Sequence, residues 1–336
     1  MQDLRLDILQ KKESEDIKSL IGQWDFNDYK YYRVFRKEIL DKYIFEQILE
    51  ILDKKGLIIV AKKGNMVEGL ISLVRLNWGK DIFGIEMAEF KHIISNGTYE
   101  YKKEIIASLL SYILQLCNKD GIQFLSCRVD TADFPTIHCL EKMGFELMET
   151  QVTYLFNKEK HKVPEIKDLY SVRNYRKEDL EILVDIVRGA FTKSRFYVDP
   201  YIPNEKVDEF YIRWIKGCAE GLLSDKILVA ERGNDIVGFL SYRVNQELAK
   251  LSGFKIVGQG LSAVSPRSKG AYVALIKASI EKSVSLYDFG EFDTQLNNYE
   301  TIKVYQRLGM DFVRSKYTFH KWLTKSYRKI RRCSNG

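Results

Sequence analysis

The chain carries one hydrophobic pattern twice. LIIVAKKGNMVEGLISLVRL (57–76) and KILVAERGNDIVGFLSYRV (226–244) are each a pair of β-branched runs around a Gly-Asn step, which predicts two β-hairpins turning at Gly64-Asn65 and Gly233-Asn234. A second echo joins FLSCRVDTADFPTIHCLEKMGFEL (124–147) to FGEFDTQLNNYETIKVYQRLGMDFV (289–313). Both read as a short strand, a polar turn, an amphipathic helix, a Gly and an apolar strand. Glu141 to Phe145 lines up with Gln306 to Met310 at an offset of 165 residues, about half the chain. Gly144 and Gly309 mark the helix C-caps, where a residue without a side chain turns the backbone at little cost. Each half therefore reads helices, hairpin, strand, helix, strand, helix, strand. That is an α/β layered domain, occurring twice. The seam is expected in the polar, Pro164-containing NKEKHKVPEIKDL (157–169). The expected domains are 1–160 and 168–325, followed by a basic tail at 326–336.

Composition fits that picture. With 336 residues, 45% hydrophobic and 12% aromatic, two domains can each bury a core. A charged fraction of 29% and 5 prolines argue against disorder. No apolar run reaches the roughly 18–20 residues of a membrane span. MQDLRLDILQKKESED lacks the apolar centre of a signal peptide. A cytoplasmic protein with no integral membrane segment is expected. The cysteines Cys117, Cys127, Cys139, Cys218 and Cys333 form no CxxC pair and are odd in number, so neither a disulfide framework nor a zinc site is favoured. His92, His138, His161 and His320 are too scattered for a metal cluster. Of the net charge of +7, five positives are Lys325, Arg328, Lys329, Arg331 and Arg332, which leaves about +2 for the body. That gives no indication of a nucleic-acid-binding surface over the whole molecule, and no nucleic-acid partner is expected. The tail reads either as a solvated terminus or as a contact for an acidic partner or membrane surface.

The chemistry is concentrated in the second half. GFKIVGQGLSAVSPRSKGAYVALIKASIEKSV (253–284) is an apolar strand ending near Val264, a stop at Pro266, a cationic turn of Arg267, Ser268, Lys269 and Gly270, and a helix opening at Ala271 and Tyr272. A helix N-terminus behind such a turn points its N–H groups at an anion, and Gly270 allows close backbone approach. An ordinary strand-to-helix turn with surface charges is the alternative. In TQLNNYETIKVYQRLGM, Asn298 precedes Tyr305 by seven residues, about two turns, so the two share a helix face. Asn298 suits an N-cap. Tyr305 can offer a phenol to a leaving group held by the turn, or pack beside Ile302 and Leu308.

The second half resembles the GNAT superfamily of acyl-CoA-dependent N-acetyltransferases. VSPRSKGA looks like its coenzyme A motif, Val-x-Pro followed by Arg/Gln-x-x-Gly-x-Gly/Ala, and NNYETIKVYQRLGM looks like the helix bearing its Asn and thiolate-protonating Tyr. AFTKSRFYVDPYIPNEKVDEFYIRWI (190–215), the DTQLNN…Y helix and NWGKDIFG (77–84) resemble the sugar-nucleotide branch, the dTDP-fucosamine N-acetyltransferases. The resemblance implies an α/β fold of two tandem GNAT-like acyl-CoA N-acyltransferase domains, each a mixed, mostly antiparallel sheet flanked by helices. It implies acetyl-CoA as cofactor and a dTDP- or UDP-linked amino deoxysugar as substrate, in surface polysaccharide biosynthesis. The resemblance also implies a homodimer, since such proteins are often dimers.

By the same resemblance, N–H groups near Ala263 and Val264 receive the acetyl oxygen, and Arg267 through Ala271 hold the pyrophosphate. Asn298 meets the pantetheine or caps its helix, and Tyr305 is the general acid. The acceptor falls to FTKSRFYVDPY (191–201), with Arg195 for a diphosphate, Phe196, Tyr197 and Tyr201 for a base or sugar face, and Tyr211 on the next helix. No Asp or Glu lies in 253–265, so the amine arrives neutral or water relays its proton. Two departures stand out. Three residues separate Pro266 from Gly270, and Tyr272 replaces the second Gly or Ala, where its ring would crowd the pyrophosphate or stack on it. At the offset of 165, Leu140 stands for Tyr305, Asp133 for Asn298 and Ile105 for Gly270, and Glu100 and Glu104 would repel phosphate. The first half therefore reads as a non-catalytic copy. Two alternatives remain: an acyltransferase with another amine acceptor or a longer acyl group, and a non-catalytic acyl-CoA-binding protein.

Overall fold

The computed structural model describes residues 4–167, 169–268, 270–283 and 287–324. They divide into two units. One holds the chain up to Glu149 and again from Ser315; the other is Thr150–Arg314. In the first unit β1 (Leu4–Ile8) is followed by α1 (Lys18–Gly22), α2 (Lys37–Asp53), the hairpin of β2 (Leu57–Lys63) and β3 (Met66–Arg75), α3 (Asn77–Phe83), β4 (Met87–Ser95), α4 (Tyr99–Lys119), β5 (Phe124–Asp130) and α5 (Phe134–Lys142). The hairpin turns at Gly64-Asn65, with Gly64 at φ +59°. Alternation along β2 sorts its side chains. Ile59 and Ala61 pack with Leu109, Ile113 and Leu140 of α4 and α5, while Ile58 and Val60 pack with Leu20, Ile44 and Ile48 of α1 and α2. Neighbouring strands pair antiparallel except β4 with β5, which is parallel.

β6 (Glu146–Asn157) leads into the second unit. There β7 (Ser171–Asn174), α6 (Leu180–Val187), α7 (Arg195–Val198), α8 (Asn204–Ala219), the hairpin β8 (Lys226–Arg232) and β9 (Asp235–Val244), α9 (Gln246–Ser252), β10 (Ile256–Val264), α10 (Ala271–Ser283), β11 (Phe289–Gln295), α11 (Tyr299–Arg307) and β12 (Asp311–Trp322) follow. The strand order is β6-β11-β10-β9-β8-β7. Among the described residues of this unit, only β10 and β11 run parallel. Leu240 and Tyr242 of β9 face Leu275 of α10. Ser241, one residue over, faces Cys218 of α8, so α10 and α8 cover opposite sides of the sheet.

The units are not the consecutive segments 1–160 and 168–325 expected from sequence. Gln151–Asn157 of β6 pairs with β11, whereas Lys316–Trp322 of β12 pairs with β5. The last strand of each sequence repeat thus completes the sheet of the other unit. β6 and β12 share their apolar pattern over the first nine positions, so periodicity there does not tell their partners apart. Lys325 and the basic tail at 326–336, with Cys333, lie outside the described residues. Among the described residues no helix is long and apolar enough to cross a membrane.

Candidate active site

β10 pairs with β11 only at Ile256–Gly258 against Phe289–Glu291. Beyond Gly258 the strand follows β9 alone, with a register shift between Gln259 and Ser262, and a gap opens between β10 and β11. Ser265 donates its N–H to the Val237 carbonyl at 2.8 Å. By alternation the Val264 N–H then points away from β9 into the gap, whereas the Ala263 N–H points into the β9 ladder. Of the two expected acetyl-oxygen donors, Val264 is the one so oriented.

The turn after β10 is compact. Ser268 N–H donates to Ser265 O and Ala271 N–H to Ser268 O. Arg267 is exposed, Ser268 is buried and Ala271 is fully buried. Gly270 has φ +94°, in the region that disfavours any side chain, and it opens α10. Lys269 lies outside the described residues. These groups fit an acyl-CoA pyrophosphate: a guanidinium in solvent, a glycine whose shape a side chain would strain, and a helix start beside both.

Tyr272 does not cover this turn. Its hydroxyl points inward, accepts from Gln259 Nε2 at 3.0 Å and lies 2.9 Å from the Tyr305 hydroxyl. The expectation that its ring would crowd or stack on the pyrophosphate is therefore corrected. Gln259 draws the phenol into the interior. Tyr305 O–H donates to Gln259 Oε1 at 3.1 Å and reaches the Asp293 carbonyl at 3.3 Å. Its ring is enclosed by Tyr154, Phe292 and Tyr272. Burial, then the neighbouring Tyr272, push the Tyr305 phenol well above its usual value of 10, so it stays protonated at neutral pH. Tyr305 is wholly buried in the core that contains Leu308, with Ile302 packed against it, which is the packing role foreseen for it as the alternative.

Asn298 precedes α11, and its amide donates to Thr294 Oγ1 at 3.0 Å. Lys193 donates to Asn298 Oδ1 at 3.2 Å and pairs with Glu300 at the same distance, which ties segment 191–201 to this helix start. On that segment Arg195 lies over the Phe196 ring at 4.6 Å. Phe196 is buried, and Tyr211 stacks on Phe191 at 4.0 Å. Both pack the segment and present no face to a ligand, which corrects their expected contact with substrate. Tyr197 donates to Asp208 Oδ1, and burial followed by this bond raises its pKa. Arg195 and the half-buried Tyr201 remain candidates for the acceptor.

Sequence reasoning missed Gln259, Lys193 and two carboxylates on β11. Phe292 faces α10 and α11, so Glu291 and Asp293 lie on the opposite side of the strand. Glu291 pairs with Arg314 at 3.3 Å, and Asp293 accepts from Thr153 and Gln151. The period-2 pattern of FGEFDTQ was the signal for them.

No family model matches the chain. Spore coat polysaccharide biosynthesis protein SpsD of Bacillus subtilis (strain 168) is 27% identical over 147 residues, 43% of this chain and 48% of that protein. The match thus spans about half the length of that relative. Among solved structures, a GCN5-related N-acetyltransferase from Sphaerobacter thermophilus superposes with a TM-score of 0.59 at 11% identity, covering 95% of this chain and 96% of its own. A tandem GNAT protein from the clavulanic acid biosynthesis pathway superposes with a TM-score of 0.56 at 12% identity, covering 96% and 100%. The chain has the GNAT N-acetyltransferase fold.

Within that fold the two units differ at the turn. In the second unit residues 265–270 connect β10 to α10; in the first, only 96–98 connect β4 to α4. The pairing of Ile105 with Gly270 is therefore corrected. Ile105 lies inside α4 in the core, and the shortened link with Gly97 (φ +103°) takes the place of the cationic turn. Asp133 and Asn298 do both precede their helices, and Leu140 and Tyr305 are both fully buried, as the offset of 165 requires.

Proposed function

We propose that the second unit transfers an acetyl group from acetyl-CoA to the amine of a nucleotide-linked amino deoxysugar, dTDP- or UDP-linked, in polysaccharide biosynthesis, and that the first unit is non-catalytic. The observation that carries this reading is the gap between β10 and β11, with a Gly270 turn and helix start at one edge and the Tyr305 phenol beside it. When bound, acetyl-CoA supplies an activated acetyl group and a thiol leaving group. The residues act around it. The Val264 N–H is oriented to meet an oxyanion in the gap. Arg267, the Lys269 of the turn and the start of α10 hold phosphate. Tyr305, kept protonated by burial and linked to Tyr272, supplies a proton to the departing sulfur. Lys193, through Asn298 and Glu300, fixes the segment that carries Arg195 and Tyr201, whose guanidinium and ring suit a diphosphate and a sugar or base. An amine that arrives neutral needs no base before attack; the proton its nitrogen then loses passes to water, from which the Tyr305 phenolate left by proton donation to sulfur is reprotonated. The Bacillus subtilis relative is named for spore coat polysaccharide biosynthesis, which supports the acceptor class. A thiol-release assay with acetyl-CoA and dTDP- or UDP-amino sugars tests the reading. Amine-dependent release is expected. Coenzyme binding without release to any amino sugar would discard this acceptor.

A further inference from the structure

The first unit contains a cavity of about 450 Å³, within the range of small-molecule sites. It lies among the α1–α2 connection, α2, β4 and β5, and nothing in the proposed transfer uses it. Its walls combine aromatic rings, Trp24, Phe26 and Phe90, with many ionised groups.

The charges are almost completely matched. Of the lining carboxylates, Asp28 pairs with Lys316, Glu50 with Lys54, Glu89 with Lys91 at 2.8 Å and Asp130 with Lys30 at 4.0 Å. The remaining lining cation, Arg128, pairs with Glu149 at 3.4 Å. His92 adds no charge at neutral pH. Burial lowers its pKa to about 4, and its Nδ1 lies 2.9 Å from the Ser72 hydroxyl. A phosphate entering here would find each lining cation already engaged.

One lining carboxylate has no ion pair among the described residues. Asp133, 5% exposed, accepts from the Thr136 hydroxyl at 2.6 Å and from the Thr136 backbone N–H; Lys102 acts on it only through its field, and burial raises its pKa. A carboxylate offers about four acceptor positions, so one held by a hydroxyl and a backbone N–H of the same residue retains unused ones, and burial without an ion pair leaves its charge costly. An ammonium fits there. The matched pairs around it offer carboxylate and amine groups side by side, and a ligand hydroxyl, which donates and accepts, fits between them without upsetting the charge balance. The rings offer an apolar face.

We infer that the first unit binds a polyhydroxylated amine, such as an amino sugar without phosphate, with its ammonium on Asp133 and its hydroxyls among the paired ions. This site is separate from the proposed transfer site, and binding there does not depend on acetyl transfer.

The test is calorimetric titration of the full chain with glucosamine, glucose, N-acetylglucosamine and glucose 6-phosphate, at neutral pH, where much of the amine is cationic and a carboxyl whose pKa burial raises is better ionised than in acid. Glucosamine should bind at least about tenfold more tightly than the other three. Asp133→Asn should remove that preference. Because this variant could unfold, hydrogen exchange of the unaltered chain with glucosamine provides a second readout, with protection expected in 87–95 and 124–133. Four outcomes would each overturn the inference: glucosamine binding weaker than about 50 mM, equal affinity for the neutral sugars, an unchanged preference in a folded Asp133→Asn, or protection confined to 150–314.

Discussion

Replacing Tyr305 by Phe removes one oxygen from a closed network and separates two roles of the residue. The ring stays, so its contacts with Tyr154, Phe292 and Tyr272 are retained. The lost hydroxyl leaves Gln259 and Tyr272 still bonded to each other at 3.0 Å, so few groups are stranded. The stability cost should be near the low end for a buried hydrogen bond, about 1 kcal/mol, or about 2–4 °C in Tm for a unit of this size. If the phenol protonates the leaving sulfur, turnover should fall by about 10²–10⁴-fold, equivalent to about 2.7–5.4 kcal/mol in the barrier. Differential scanning fluorimetry measures the first quantity and thiol release at saturating acetyl-CoA measures the second. A variant that loses a few degrees and keeps turnover within threefold would make Tyr305 a packing residue and refute the general-acid role.

Four further outcomes are expected. Gly270→Glu places a strained carboxylate beside the anion turn and should abolish acetyl-CoA binding by calorimetry, while Gly270→Ala, at φ +94°, should weaken binding and cost about 1–2 kcal/mol of stability. Tyr272→Phe should leave coenzyme affinity nearly unchanged, because the hydroxyl it removes points to Gln259 and Tyr305 and away from the turn; a large loss of affinity would return that hydroxyl to the pyrophosphate. Because the Tyr305 pKa is raised, the acid form persists as pH rises, so thiol release should show no loss from this group below about pH 10; such a loss, absent in Tyr305→Phe, would contradict the assignment. His92 has a folded pKa lowered to about 4 against 6.5 unfolded, so its contribution is fully present above pH 6.5 and is lost as pH falls toward 4. Wild type should lose up to about 3 kcal/mol more than His92→Gln across that window, and parallel Tm curves would remove His92 as the cause.

Much of the fold was legible because local chemistry sets it. Gly-Asn steps between β-branched runs made the hairpins, and Gly144 and Gly309 closed their helices. The exchange of last strands was not legible, since it depends on long-range pairing that strand periodicity does not encode. The offset of 165 worked at Asp133 and Leu140 and failed at Ile105, because the shortened link before α4 shifts the register of everything between β4 and β5. At the candidate site, the turn from strand to helix could be read from VSPRSKG. The direction of Tyr272 could not, because it is decided by a partner, Gln259, on another element. Phe196 and Arg195 are sequence neighbours with opposite fates, and only the packing of α7 on α8 separates them.

The measurement that bears most directly on the central claim is amine-dependent thiol release by the full chain with acetyl-CoA and a panel of dTDP- and UDP-amino sugars, run beside Tyr305→Phe and Gly270→Glu. The account expects release with at least one amino sugar, lost in Gly270→Glu through binding and in Tyr305→Phe through turnover. Release that survives both substitutions, or no binding of acetyl-CoA by the unaltered chain, would contradict it.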